Sequence, residues 1–164
     1  MAEKIAFIFP GQGSQTVGMG KDICAHHEAA RFIFAEADEA LGKSLSTMCF
    51  EGPEDDLGLT VNTQPAIVAT SLALFKCFTE KGPQPSFVAG HSVGEYAALA
   101  AAGALSIQDV IGLVAKRGQL MDDACPAGTG GMAALIGMDR EKTLNMLNEM
   151  ELSADFALDL AGLN

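Results

Sequence analysis

Residues 87–96 read FVAGHSVGEY and place a short apolar run directly before a Gly-x-Ser-x-Gly turn. The run over 87–89 predicts a strand, and the Ala-rich residues that follow the turn predict a helix. A serine between such a strand and helix presents its hydroxyl at the end of a sheet. Ser92 is therefore predicted to be a nucleophile that carries an acyl group, and the N–H of Val93 is predicted to stabilise the oxyanion.

The remaining pattern predicts an α/β fold. The continuous apolar run IAFIF at 5–9 ends at Pro10-Gly11, which favours a buried parallel strand. Acidic residues after a proline predict a short helical turn at 52–57. Apolar spacing and capping residues predict five helices, at 27–41, 63–80, 94–102, 106–124 and 139–150. Alternating strands and helices indicate a parallel sheet with helices on both faces.

A domain boundary is predicted where Pro126 and three nearby glycines interrupt the pattern. Residues 1–125 would form the α/β core. Residues 126–164 would begin a smaller subdomain, with strands at 132–136 and 156–160 on either side of a helix. The pattern stops before this second unit can close its sheet.

Composition excludes several classes of function. The net charge is −11 and the ten Lys and Arg are scattered, which argues against nucleic-acid binding. No apolar run approaches the roughly 20 residues of a membrane span. Four cysteines without a C-x-x-C pair and three histidines give no metal site, and free thiols are typical of a reducing cytosol. We expect a soluble, intracellular, cytoplasmic protein.

Two further features predict the chemistry around Ser92. The loop GQGSQ at 11–15 follows the first strand and can reach the same end of the sheet, where it would supply a second oxyanion donor. Thr16 breaks the G-x-G-x-x-G pattern and so excludes a dinucleotide site. Arg117 lies in a predicted helix, and its forked guanidinium is suited to binding a carboxylate on the acyl group.

Four motifs together resemble one family. They are FPGQGSQ at 9–15, TQPA at 63–66, GHSVGEY at 90–96 and KRGQLM at 116–121. In this order and at this spacing they resemble the malonyl-CoA:acyl carrier protein transacylases, whose fold also serves as the acyltransferase domain of fatty-acid and polyketide synthases. The resemblance implies an α/β-hydrolase-like core with an inserted ferredoxin-like subdomain that begins near Pro126.

The resemblance also implies a reaction and its residues. Ser92 would take a malonyl group from malonyl-CoA and pass it to acyl carrier protein, with no cofactor besides these substrates. The N–H groups of Gln12 and Val93 would form the oxyanion hole, and Arg117 would bind the malonyl carboxylate. Gln64 and His91 are further substrate-site candidates.

One departure from the family affects the expected rate. Family members are about twice as long, and their general-base histidine lies in the half that has no counterpart here. The histidines of this chain are His26, His27 and His91, and none follows Ser92. We therefore expect a truncated chain that is nearly inactive on its own. Two alternatives remain open at this point, a serine hydrolase or thioesterase and a non-catalytic remnant that binds acyl carrier protein.

Overall fold

The computed structural model describes residues 4–126, 128–150 and 157–162. In this part the chain is mostly helical and has one small parallel sheet. The chain divides into two compact units, Met1–Thr129 and Gly130–Asn164. The elements in order are β1 Ala6–Phe9, α1 Lys21–His26, α2 Glu28–Leu41, α3 Leu45–Glu51, α4 Glu54–Gly58, α5 Thr60–Thr79, β2 Phe87–Gly90, α6 Gly94–Ala101, α7 Ile107–Ala124 and α8 Arg140–Glu149.

The sheet pairs β1 with β2 in parallel, with Phe9 opposite Gly90, so both strands end at the same edge. The predicted parallel sheet is thus confirmed. One face of β1 packs against α5, where Phe9 and Phe75 make an edge-on aromatic contact with ring centroids 5.9 Å apart. On the other face Ile8 and Phe87 are 70% and 59% exposed. Fully buried strands with helices on both faces were therefore a wrong prediction for the described residues, because no described helix covers this second face.

Helix α5 forms the centre of the core. It packs against α2 and α7, and every residue from 62 to 73 is buried. The long buried helix predicted over 63–80 is thus confirmed, since small and apolar residues on all sides suit a helix with neighbours all round. In the part of the chain that the structure describes, no helix is both long and apolar enough to cross a membrane.

Capping residues begin or end three of the predicted helices. Ser106 Oγ accepts the N–H of Asp109 at 3.0 Å and so begins α7. Asp139 Oδ1 accepts the N–H of Lys142 at 2.8 Å and begins α8. Bonding to this N–H and to the Lys142 side chain lowers the pKa of the Asp139 carboxyl. Gly42, with φ 61°, closes α2 in the left-handed conformation that glycine favours.

Local structure differs from the prediction in three places. Helices α1 and α3 went unpredicted because six or seven residues are too few for an apolar repeat to show. Residues 132–136 form no strand, since Met132 and Ile136 are 87% and 96% exposed and no described strand lies beside them to pair with. Phe156 lies outside the described residues, and 157–160 form no strand.

The cysteines of the described chain are free thiols; Cys24 and Cys49 are buried, and Cys77 is partly buried against the core. Burial raises the pKa of the Cys49 thiol to about 12, and it also raises the pKa of the Cys24 and Cys77 thiols. Because the thiolate is the reactive form, these side chains act as small apolar core residues at neutral pH.

The burial pattern of α7 gives a paired stability prediction. Ile111 is fully buried, whereas Leu113 on the same helix is 47% exposed. Replacement of Ile111 by Ala should lower the free energy of unfolding by about 2–5 kcal/mol, because it leaves a cavity. Replacement of Leu113 by Ala should change it by about 0.5 kcal/mol or less. Urea unfolding followed by circular dichroism measures both, and equal losses would contradict the assigned packing.

Candidate active site

Ser92 stands on a strained turn between β2 and α6. Among the described residues it is the one residue other than glycine with positive φ, at 54°. Such a backbone costs a side-chain-bearing residue about 1–3 kcal/mol and persists only when its surroundings enforce it. The serine is exposed, so its hydroxyl is open to a substrate.

The two flanking glycines explain how the turn is enforced. A Cβ on Gly90 would overlap the carbonyl group of Gly94, because the chain reverses so sharply that these two backbones touch. A Cβ on Gly94 would lie 2.6 Å from the carbonyl oxygen of Pro10 and would also clash with that of Phe9. The Gly-x-Ser-x-Gly pattern therefore allows both the tight turn and the close approach of β1.

An unused N–H group follows the serine. The N–H groups of residues 94–96 donate to carbonyls of residues 91–93 at 2.9–3.1 Å. In the described chain, by contrast, no protein acceptor receives the N–H of Val93, which lies at the N-terminal end of α6. A free N–H at this end of a helix favours negative charge. It can stabilise an oxyanion formed at Ser92.

The loop that follows β1 contacts this turn. A Cβ on Gly11 would lie 2.7 Å from His91 Nδ1 and 2.8 Å from the His91 carbonyl oxygen, so the two backbones lie against each other. Gln12 comes next in this loop and is exposed, and its side-chain amide donates to Thr60 Oγ1 at 3.4 Å. The oxyanion role of the Gln12 N–H stays a prediction.

Arg117 of α7 contacts the side chain of Ser92. Its Nη2 donates to Ser92 Oγ at 3.1 Å, and its Nη1 donates to Gln64 Oε1 at 2.6 Å. Its Cζ is also 5.9 Å from the ring centroid of Tyr96, within the range of a cation–π contact. A half-buried guanidinium beside a hydroxyl stabilises negative charge on that oxygen and on any carboxylate attached near it.

Two residues of α5 and α7 support this arginine. Gln64 is fully buried, and its Nε2 donates to Met121 Sδ at 3.1 Å. The resemblance implies a role for Gln64, but the sequence alone assigns none to Met121. A signal was available, because Met121 follows Arg117 by four residues on α7 and so lies on the same helix face.

The described histidines do not hydrogen-bond to Ser92 Oγ. His26 ends α1 and His27 separates α1 from α2, and both are exposed. His91 is exposed within the turn. In residues 4–126, 128–150 and 157–162, the side chain that hydrogen-bonds to Ser92 Oγ is Arg117, and no histidine nitrogen does. The described site thus offers an exposed serine hydroxyl, an N–H group without a protein acceptor and a cation.

The chain is similar to known acyltransferases. Residues 6–153 match the acyl transferase domain family. A malonyl CoA-acyl carrier protein transacylase of Bacillus subtilis (strain 168) is 50% identical over 161 residues, which are 98% of this chain and 50% of that protein. The chain spans about half the length of the curated relatives it matches.

Solved structures give the same result. The malonyl-CoA:acyl carrier protein transacylase of Xanthomonas oryzae superposes with a TM-score of 0.85 at 45% identity, over 91% of this chain and 48% of that one. A malonyl-transacylase in complex with its type II PKS acyl-carrier protein superposes with a TM-score of 0.80 at 45% identity, over 85% of this chain and 45% of that one.

The close approach at Gly94 gives a paired prediction. Replacing Gly94 by Ala should lower the free energy of unfolding by about 1–3 kcal/mol, because the methyl group would overlap two carbonyl oxygens of the β1 end. Replacing Gly112, a glycine within α7 whose Cβ would meet nothing within 4 Å, should instead stabilise by up to about 1 kcal/mol. Urea unfolding of both variants tests this, and a stable Gly94→Ala would contradict the geometry.

Proposed function

The chain belongs to the acyl transferase domain family, and on that premise we propose that it carries a malonyl group from malonyl-CoA to acyl carrier protein through an ester on Ser92. The observation that carries the proposal is the 3.1 Å contact between the Arg117 guanidinium and Ser92 Oγ. The names of its relatives, and the complex of one structural neighbour with an acyl-carrier protein, support the choice of acyl group and partner.

The first half-reaction makes the acyl ester. Ser92 Oγ attacks the thioester carbonyl of malonyl-CoA, the hydroxyl proton leaves to a base, and the carbonyl oxygen becomes an oxyanion. The N–H groups of Val93 and Gln12 stabilise that charge. The C–S bond then breaks, and coenzyme A leaves as a thiol once its sulfur has taken the proton. No cofactor is needed, since the thioester already supplies an activated acyl group.

The second half-reaction reverses these steps with another thiol. The phosphopantetheine sulfur of acyl carrier protein attacks the ester carbonyl, a new C–S bond forms, and the bond to Ser92 Oγ breaks. The serine oxygen regains its proton. The same oxyanion donors serve again, because the second tetrahedral intermediate forms at the same carbon.

Arg117 gives the site its preference for a dicarboxylic acyl group. A malonyl ester on Ser92 places its free carboxylate close to the ester oxygen, within the region that the Arg117 fork covers. Two parallel charge-assisted hydrogen bonds to a carboxylate are stronger than those a neutral acyl group can accept. His91 and Gln64 border this region, and we keep both as substrate-site candidates.

Three finer assignments belong to the same proposal. Residues 1–125 form the N-terminal part of an α/β-hydrolase-like core, and 126–164 begin a ferredoxin-like subdomain. The strand–turn–helix at Ser92 supports the first assignment, since that arrangement is typical of α/β-hydrolases. The cytoplasmic location stays a prediction.

Two alternatives are less well supported. A hydrolase of neutral esters would have no use for a cation on its nucleophile, whereas Arg117 touches Ser92 Oγ. A non-catalytic remnant would not need to keep the serine at a strained φ of 54°. An acyl-Ser92 ester that survives in water but is discharged by a thiol supports the transferase. Rapid loss to water supports the hydrolase, and absence of any ester supports the remnant.

Removing the guanidinium should change acyl selectivity. Arg117→Ala should lower the rate of Ser92 acylation by malonyl-CoA relative to acetyl-CoA by about 10- to 100-fold, the usual effect of losing hydrogen bonds to a charged group. Intact-protein mass spectrometry over time measures both rates. Lys116→Ala is the matched control, because it removes the same charge from an exposed neighbour on α7. Equal effects of the two substitutions would contradict the role of Arg117.

Because no described histidine bonds to Ser92 Oγ, a polypeptide made of these 164 residues should react slowly. Losing the base of a serine catalytic unit costs on the order of 10⁶ in kcat. We expect slow malonyl transfer to acyl carrier protein that accelerates when imidazole is added to the buffer, because imidazole can accept the hydroxyl proton. Transfer of radiolabelled malonyl groups measures this. A normal enzymatic rate without added base would refute the expectation.

A further inference from the structure

Helices α5 and α7 cross where Gly118 faces the start of α5. A Cβ on this buried glycine would lie 2.8 Å from Val61 Cα and 3.0 Å from the Thr60 carbonyl oxygen, so the two backbones are in contact. Side chains near the crossing must therefore meet at short range. Arg117 and Met121 lie one turn apart on α7, and both reach Gln64 of α5.

The chemistry of these three side chains allows one arrangement of the Gln64 amide. A guanidinium only donates hydrogen bonds, so the amide must turn its oxygen toward Arg117, as the 2.6 Å contact shows. Its NH₂ group then faces the other way, where Met121 Sδ accepts from it at 3.1 Å. A thioether sulfur is a weak acceptor, but it leaves the NH₂ of a fully buried side chain with a partner.

We propose that Met121 is a positioning residue for the acyl-binding arginine, because its sulfur fixes the orientation of the Gln64 amide that holds Arg117 against Ser92. The inference rests on the proposed function of Arg117 in binding the acyl carboxylate. It assigns no contact with substrate to Met121.

The alternative orientation shows why the sulfur matters. With leucine at 121, the Gln64 NH₂ would lose its acceptor and would face apolar carbon, which is unfavourable for a buried donor. An amide rotated by half a turn would bring its NH₂ against Arg117, where two donors repel each other. Either outcome loosens the guanidinium and leaves it less well placed for a carboxylate on Ser92.

The functional test compares Met121→Leu with Met48→Leu. Met48 is a partly buried methionine of α3 outside the site, so its replacement removes a thioether from the core without touching Gln64. We expect Met121→Leu to lower the preference of Ser92 acylation for malonyl-CoA over acetyl-CoA by about two- to fivefold, in keeping with one weak hydrogen bond. Met48→Leu should leave this preference unchanged.

A double-mutant cycle shows whether the effect passes through the amide. In a Gln64→Leu background no amide remains to be oriented, so adding Met121→Leu should have no further effect on the malonyl preference. A further loss of equal size in that background would overturn the proposal, because Met121 would then act by another route. If the unmodified protein prefers malonyl-CoA, an unchanged preference after Met121→Leu alone would overturn it as well.

A measurement on the arginine itself distinguishes failure of the positioning role of Met121 from failure of the proposed function. Nitrogen-15 NMR reports how fast the Arg117 guanidinium rotates about its Nε–Cζ bond. We expect slow rotation in the unmodified protein and in Met48→Leu, and faster rotation in Met121→Leu. If the unmodified protein fails to prefer malonyl-CoA while this pattern holds, the proposed function fails and the positioning stands. If rotation is equally slow in all three proteins, the positioning role is wrong.

Discussion

Contact between the backbone of Gly94 and the carbonyl groups at the end of β1 is the constraint on which the site depends. It brings the loop after β1 against the turn after β2, and there is no room for a side chain between them. The same turn holds Ser92 at a φ of 54° and leaves the N–H of Val93, at the start of α6, without an acceptor among the described residues. One close approach of two backbones thus places an exposed serine hydroxyl beside an N–H group, which is the arrangement that the proposed acyl transfer uses.

A second close approach positions the guanidinium that contacts Ser92. Gly118 lets α7 lie against α5, and this crossing directs Arg117 at Ser92 Oγ while Gln64 holds the guanidinium from the buried side. In the proposed function, selectivity for a carboxylate therefore comes from helix packing in the core, at a distance from the turn that carries Ser92. The motifs KRGQLM and TQPA meet in one hydrogen-bonded cluster. The first supplies Arg117 and Met121, and the second supplies Gln64 between them.

Local patterns predicted much of this. The strand, turn and helix around Ser92, the buried helix α5 and the capped starts of α7 and α8 all follow from short-range signals. Burial of β1 could not be predicted in this way, because an apolar run does not say whether a neighbour covers each face, and Ile8 is 70% exposed. The contact of Met121 with Gln64 joins residues 57 positions apart, and only the helix crossing brings them together.

Competition between two thioesters tests the central claim, that Arg117 makes Ser92 a carrier of acyl groups with a free carboxylate. The unmodified protein is incubated with equimolar malonyl-CoA and acetyl-CoA, digested, and the peptide that contains Ser92 is analysed by mass spectrometry. We predict that the malonyl ester on Ser92 exceeds the acetyl ester. Equal labelling by both, or acylation at a residue other than Ser92, would contradict it.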